Sequence, residues 1–376
     1  MIRNDLDKWL STNFTNIELK REGLYSTIYK ANDIESKAFI AIKVIKARDR
    51  ENFNLLNQNL TKARALLHRN IMPIGKIFTG AGFIIAYSMP WGQSLSSRIE
   101  SGILFLNKEL LEFLKDMIAA LSFAKYKYGY FHKCIKPENV ILVDGVYKLA
   151  DWDILGLTLK QGTLLSKVKN LGKVVYDSPE ILKIRNSKNV NAEILKTDFG
   201  KCDLFSLGLV SLRLIGFPES VISEIIYLIS IFPEKHFVSE KAEIFGKRLP
   251  KWVDPSIAQA LDKMLEYNVK KRCEHDFVLS QLNQIKPENL DQKERKFMEL
   301  FKKSGSEVAD QQPKYKKPIM IENVQISDDI LITCSGDKSV KMIDMQSGLV
   351  IKSFDDICDG KYFLPLLGSL RIIILY

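Results

Sequence analysis

Residues 17–46 and residues 107–129 cannot belong to the same kind of layer. The first stretch, IELKREGLYSTIYKANDIESKAFIAIKVIK, alternates apolar and polar residues with interruptions at Arg21–Gly23 and Asn32–Lys37, the period of pleated strands. The second, NKELLEFLKDMIAALSFAKYKYG, places Leu110, Leu111, Leu114, Met117, Ile118 and Leu121 on one face of a helix. Between them, residues 51–67 have helical spacing and residues 71–89 read as short strands around a Gly80-Ala81-Gly82 turn. Residues 138–150 predict two short strands about Asp144-Gly145. From 203 to about 285 the period is helical almost throughout. A small, mostly β lobe followed by a larger, mostly helical lobe is expected, an α+β arrangement.

The chain is long enough for two or three domains at 376 residues, and 46% hydrophobic content supplies ample core. Its five cysteines, Cys134, Cys202, Cys273, Cys334 and Cys358, are odd in number and show no C-x-x-C pairing. That argues against a disulfide framework and against a zinc site, and it suits a reducing cytoplasm. The first residues, MIRNDLDKWL, lack the apolar run of a signal peptide, and no stretch of about 18 apolar residues predicts a membrane span. Net charge is +10, which favours acidic partners. No run of like charge marks a nucleic-acid arm, and a lysine-rich solvated surface accounts for the balance. Residues 286–315 are polar and read as a linker, and strand signals return over 316–376.

Chemistry-bearing residues fall in a set order. Lys43 ends IAIK on a predicted strand. His132, Lys133 and Cys134 precede Lys136, Pro137, Glu138 and Asn139. Asp151 sits in LADWDI after a predicted hairpin. Ser178-Pro179-Glu180 comes next, then Asp203 in KCDLFSLGLV, then Arg272. In this order residues 17–285 resemble a eukaryotic protein kinase domain, with residues 1–16 as an N-terminal extension. The resemblance implies a bilobal kinase fold. It implies ATP contacts from Gly23, Ile28, Ala41, Lys43, Tyr87, Met89 and Ile141, and magnesium ligation by Asn139 and Asp151. His132, Glu180, Asp203 and Arg272 take structural positions. Glu180 and Arg272 are expected to form an ion pair, and Asp203 to hold the catalytic-loop backbone. A literal Asp198-Phe199-Gly200 follows Ser178-Pro179-Glu180 and so cannot be the magnesium motif; it is expected to be a loop leading into the Asp203 helix.

The departures from that pattern bear on activity. Cys134 stands where the family places the Asp that accepts the substrate proton. Beside Lys136 a thiolate base is one reading, and a small half-buried apolar residue is the other. Of the three loop glycines only Gly23 remains, with Arg21 and Ser26 at the others. The helix after Lys43 offers Asn59 in place of the pairing glutamate. Tyr87 falls at the gatekeeper and Ser88-Met89-Pro90 at the hinge, where Pro90 removes an N–H that would hold adenine. Asp151-Trp152-Asp153 replaces Asp-Phe-Gly, and Asp153 either strengthens a cation site or hinders movement. Lys173 replaces a threonine.

Together these point to a pseudokinase that holds magnesium-ATP and transfers phosphate poorly, acting as a scaffold or allosteric partner. A divergent, active Ser/Thr kinase is the alternative. Residues 328–354 resemble a WD-repeat blade with strands ILITCS, VKMIDM and VIKSF. One blade and a fraction cannot close a propeller, so further blades are expected from a longer product or another protein. Protein partners are expected through this tail and the helical lobe.

Overall fold

A computed structural model describes residues 2–23, 26–152, 176–187, 189–231, 234–286 and 290, and three strands at 330–334, 340–344 and 350–354. The chain forms two compact units, one made of residues 1–231 and 237–294 and the other including 295–376. The first opens with α1 (Ile2–Asn13) and continues through β1 (Phe14–Glu22), β2 (Ser26–Asp33) and β3 (Phe39–Lys46). Helix α2 (Arg50–Arg64) precedes β4 (Ile77–Gly80) and β5 (Ile84–Pro90). The five strands form an antiparallel sheet in the order β1-β2-β3-β5-β4. Residues 71–76, expected among the strands, contribute only an isolated bridge from Ile71 to Leu149.

The alternation of β3 is read by a different helix on each face. Ile40 and Ile42 pack with Ala31, Leu10 and Phe14, and with the partly buried Leu6, Trp9, Tyr29 and Val44. Ile45 faces the other way, with Leu56 and Leu60 of α2 and Ile85 and Tyr87 of β5. Residues Ile2–Asn13 of the extension form a helix whose Leu6, Trp9 and Leu10 pack on the sheet. Leu6, Trp9 and Leu10 have i, i+3, i+4 spacing, a weak signal that the sequence reading did not take up. The Trp9 ring meets Phe14 edge-on at 5.1 Å and lies 5.6 Å from Phe78.

The helical part begins with β6 (Gln93–Ser94), α3 (Leu95–Glu100) and α4 (Asn107–Tyr128). Helix α4 ends on Gly129, whose φ of +60° closes the last turn through an N–H donated to Lys125. Strands β7 (Val140–Val143) and β8 (Val146–Leu149) make a hairpin whose turn residues, Asp144 and Gly145, both have positive φ. There follow α5 (Pro179–Asn186), α6 (Val190–Lys196), α7 (Phe199–Leu214), α8 (Glu219–Ile231), α9 (Glu234–Glu243), α10 (Pro255–Met264) and α11 (His275–Asn283). Asp198-Phe199-Gly200 is not a loop. Asp198 caps α7 by accepting the Lys201 N–H, and Phe199 and Gly200 form its first turn. Helix α7 is buried almost all round, so α4 and α10 pack close to it. A Cβ on Gly208 would lie 2.9 Å from the Leu265 side chain. In the second unit β9 (Ile330–Cys334), β10 (Val340–Asp344) and β11 (Val350–Phe354) form an antiparallel meander.

Two outcomes follow for stability. Phe14→Ala removes a buried ring from under α1 and is expected to cost about 3–5 kcal/mol in urea unfolding, with the midpoint lowered and the slope unchanged. His275 is buried at 1% exposure, and burial with the neighbouring Lys125 lowers its pKa to about 4. The unfolded chain takes up this proton near pH 6.5, so stability is full above that value and falls as pH drops toward 4. The loss attributable to His275 is on the order of 3 kcal/mol. His275→Leu should flatten this limb of a pH–stability curve.

Candidate functional site

The loop between α4 and β7 is held from below by one carboxylate. Asp203, buried in the first turns of α7, accepts the His132 N–H at 2.8 Å and the Lys133 N–H at 2.7 Å. Lys133 has φ +63°, a left-handed conformation that costs a non-glycine residue roughly 1–2 kcal/mol. His132 is fully buried, and burial lowers its pKa to about 4, so the ring is neutral. Its Nε2 lies 2.9 Å from the Ala150 carbonyl, and its Nδ1 accepts the Cys134 N–H at 3.3 Å. That pair of bonds assigns the Nε2–H tautomer. Trp152 stacks on Tyr130 and donates its indole N–H to the Leu149 carbonyl at 3.2 Å.

Three side chains converge on the residue between Ala150 and Trp152. Lys43 and Tyr87 are opposite one another across β3 and β5, which sends both to the same face. Lys43 Nζ is 2.5 Å from Asp151 Oδ2, and the Tyr87 hydroxyl donates to Asp151 Oδ1 at 3.1 Å. Burial pushes the Asp151 carboxyl up, but Lys43 and Tyr87 outweigh it and hold it below its ordinary value. Burial and the Asp151 charge push the Tyr87 phenol well up, so it stays a donor. Asp151 itself has φ +63°. Helix α2 brings no acid to this group: its one acidic residue, Glu51, lies exposed in the first turn, and Asn59 is buried. The sequence singled out Tyr87 and Asp151 separately, and the hydrogen bond between them had no sequence signal.

Cys134 lies on the same loop, partly buried. Burial pushes its thiol pKa up, and the opposing pull of Lys136 is smaller. That direction speaks for the small, half-buried thiol over the thiolate base. Asn139, buried at the end of a short 3-10 turn, donates its Nδ2–H to the Cys134 carbonyl at 2.9 Å. Ala41 is buried on β3, and Ile28 is opposite Lys43 on β2. Met89 and Ile141 pack together against Met72, Val143 and Ala150. Gly23 donates its N–H to the Ser26 carbonyl at 2.9 Å, closing the β1–β2 turn. Ser88 N–H and C=O are engaged by Lys76 and Gly75, and Pro90 closes β5 opposite Ile40 with no N–H to offer. Asp153 and Lys173 lie outside the described residues.

Farther along, Glu180 at the start of α5 receives Arg272 in a two-pronged ion pair, with Nη1–Oε2 at 3.0 Å and Nη2–Oε1 at 2.9 Å. The remaining guanidinium N–H groups go to the Glu266, Lys201 and Tyr267 carbonyls. All five donors are used, which is how a fully buried charge is tolerated. A second buried pair, Arg185 Nε to Asp177 Oδ2 at 2.6 Å, ties the end of α5 back to the residues before it. The sequence reading had no signal for it.

This geometry agrees with what the chain is similar to. The protein kinase domain model matches residues 19–283, and the chain belongs to that family. It is 25% identical over 262 residues to CBL-interacting protein kinase 16 of Oryza sativa subsp. japonica, covering 67% of this chain and 52% of that protein. It is 25% identical over 203 residues to calcium-dependent protein kinase 5 of Plasmodium berghei, covering 52% and 33%. Serine/threonine-protein kinase cds1 of Schizosaccharomyces pombe is 25% identical over 266 residues, covering 66% and 54%. The chain thus spans about half, or less, of the length of these curated relatives. No helix among the described residues is long and apolar enough to cross a membrane.

The family uses ATP and magnesium, and the donors here fit that pair. An Asp carboxylate and an Asn amide oxygen are the hard oxygen ligands such a cation takes, and Lys43 is a cation paired with that carboxylate. Arg272→Ala would strand the Glu180 carboxylate in the interior. It is expected to lower stability by roughly 3–5 kcal/mol, measured by denaturant unfolding. Glu180→Gln, which keeps one acceptor, should cost less.

Proposed function

We propose that this chain is a pseudokinase: a protein-kinase fold that holds magnesium-ATP, transfers phosphate poorly or not at all, and acts as a signalling scaffold or allosteric partner. The observation that carries this reading is Cys134. At the position of the proton acceptor stands a thiol that burial keeps protonated, and a neutral thiol is a weak acceptor. Loss of a general base costs roughly 10²–10⁴ in rate. Lys43 adds to the deficit, because its carboxylate partner is Asp151 and not an acid on α2. A nucleotide lacking a hinge N–H at Pro90 loses about 0.5–1.5 kcal/mol of its grip.

Lys43 would contact the phosphates, and Asn139 and Asp151 the cation. The bound cation would neutralise phosphate charge. Ala41, Met89 and Ile141 supply apolar contact for the base, with Ile28 and Gly23 from the β1–β2 side. Nucleotide binding would then bias one arrangement of the domain and set affinity for a protein partner. The helical half and the C-terminal strands, which we read as WD-repeat-like, are the surfaces proposed for partners. The free thiols of Cys134, Cys202 and Cys273 suit the reducing cytoplasm in which this reading places the protein.

A divergent but active Ser/Thr kinase is the second reading, favoured by the presence of Lys43, Asn139 and Asp151. Phosphoryl transfer rests mainly on positioning and electrostatics. Incubation of the full chain with magnesium, labelled ATP and a generic protein substrate separates the two. The expected result is incorporation at background, unchanged in Lys43→Ala. Incorporation above background that disappears in Lys43→Ala would establish the active kinase instead.

A further inference from the structure

We propose that the Tyr87 hydroxyl is a positioning group that competes with a divalent cation for Asp151, so that magnesium adds less to nucleotide binding than Asn139 and Asp151 would otherwise give it. The inference rests on the reading that the chain binds nucleotide, and it concerns what that site does with the metal.

The argument begins with the sheet. Register places Tyr87 directly across from Lys43, so both side chains leave the same face and reach the same carboxylate. Asp151 presents two oxygens, and each already has a donor: Lys43 on Oδ2 and Tyr87 on Oδ1. A carboxylate has further lone pairs, but magnesium demands near-octahedral geometry at short range and gives up water reluctantly. Taking Asp151 as a ligand therefore means turning it out of one or both bonds.

The two donors are not equivalent when that happens. Lys43 can pass from the carboxylate to a nucleotide phosphate. Tyr87 has no such exchange. Its side chain is buried at 5% exposure among Ile45, Leu56, Leu60 and Ile85. A hydroxyl on a ring so fixed loses the acceptor the structure gives it when Asp151 turns away. The hydroxyl is thus the part of the arrangement that opposes the cation without opposing the nucleotide. A hydrogen bond to an ionised group of this kind corresponds to roughly ten- to hundredfold in an equilibrium constant. A phenylalanine would keep the ring packing and remove only the donor.

The test compares ATP affinity of the full chain in magnesium chloride and in EDTA, by titration calorimetry, for wild type and Tyr87→Phe. In wild type the ratio of the two affinities is expected to stay within a few-fold of one. In Tyr87→Phe this ratio should rise by about tenfold or more, and the added Asp151→Asn should cancel the rise. Tyr87→Leu, which also lacks the donor, should show the same gain. Unfolding monitored without ligand confirms that each variant is folded. A ratio that does not change in either variant overturns the proposal. So does a wild type already bound more than tenfold tighter in magnesium, or no nucleotide binding by any of these proteins. Labelled-phosphate transfer measured on the same samples reports separately on the pseudokinase reading. Tighter magnesium-dependent binding without transfer leaves both standing. Transfer by the wild-type chain removes the pseudokinase reading alone.

Discussion

The ion pair between Lys43 and Asp151 is the constraint around which the site is arranged. It joins the middle strand of the sheet to the segment that follows the β7–β8 hairpin, and both partners are largely buried. Burial makes such a pair weak evidence for stability, since each charge gives up its hydration. What it does fix is geometry. With Lys43 committed, β3 cannot slide against β5 without moving the lysine off its carboxylate. With Asp151 committed, the Ala150 carbonyl stays within reach of the His132 Nε2–H and Trp152 stays against Tyr130. The left-handed backbone of Asp151 is held by the same partners.

A second anchor acts on the same loop from the opposite side. Asp203 accepts two consecutive N–H groups, and those bonds hold Lys133 in a conformation it would not choose alone. Cys134 is therefore set by backbone that a catalytic loop would need, although the side chain at its tip has no carboxylate. The frame around the position has been kept while the reacting group differs.

Much of this was legible in the chain because the relevant residues are close in sequence or belong to motifs with fixed order. The strand and helix periods located the sheet and the helical half. The order of Lys43, His132, Asp151, Glu180, Asp203 and Arg272 located the site. Helix α1 escaped because three apolar residues in a short charged segment are a faint signal. Asp198 was read as loop because a capping aspartate and a turn aspartate look alike until the next residues are seen in a helix. The Tyr87–Asp151 bond was out of reach. It depends on strand register and on one backbone torsion of Asp151, and neither is written in local composition. The Asp177–Arg185 pair was missed for a similar reason, since charges at that separation face one another only when the helix start is known.

The placement of α1 has a mechanical consequence. The strand carrying Lys43 is gripped on one side by a helix from the very start of the chain and on the other by α2. Any tilt of the sheet that would reposition the lysine must drag the opening helix with it. Leu6, Trp9 and Leu10 pack directly on Ile40 and Ile42, one residue along the strand from Lys43 on its opposite face, so a displaced helix is felt by the lysine's own strand.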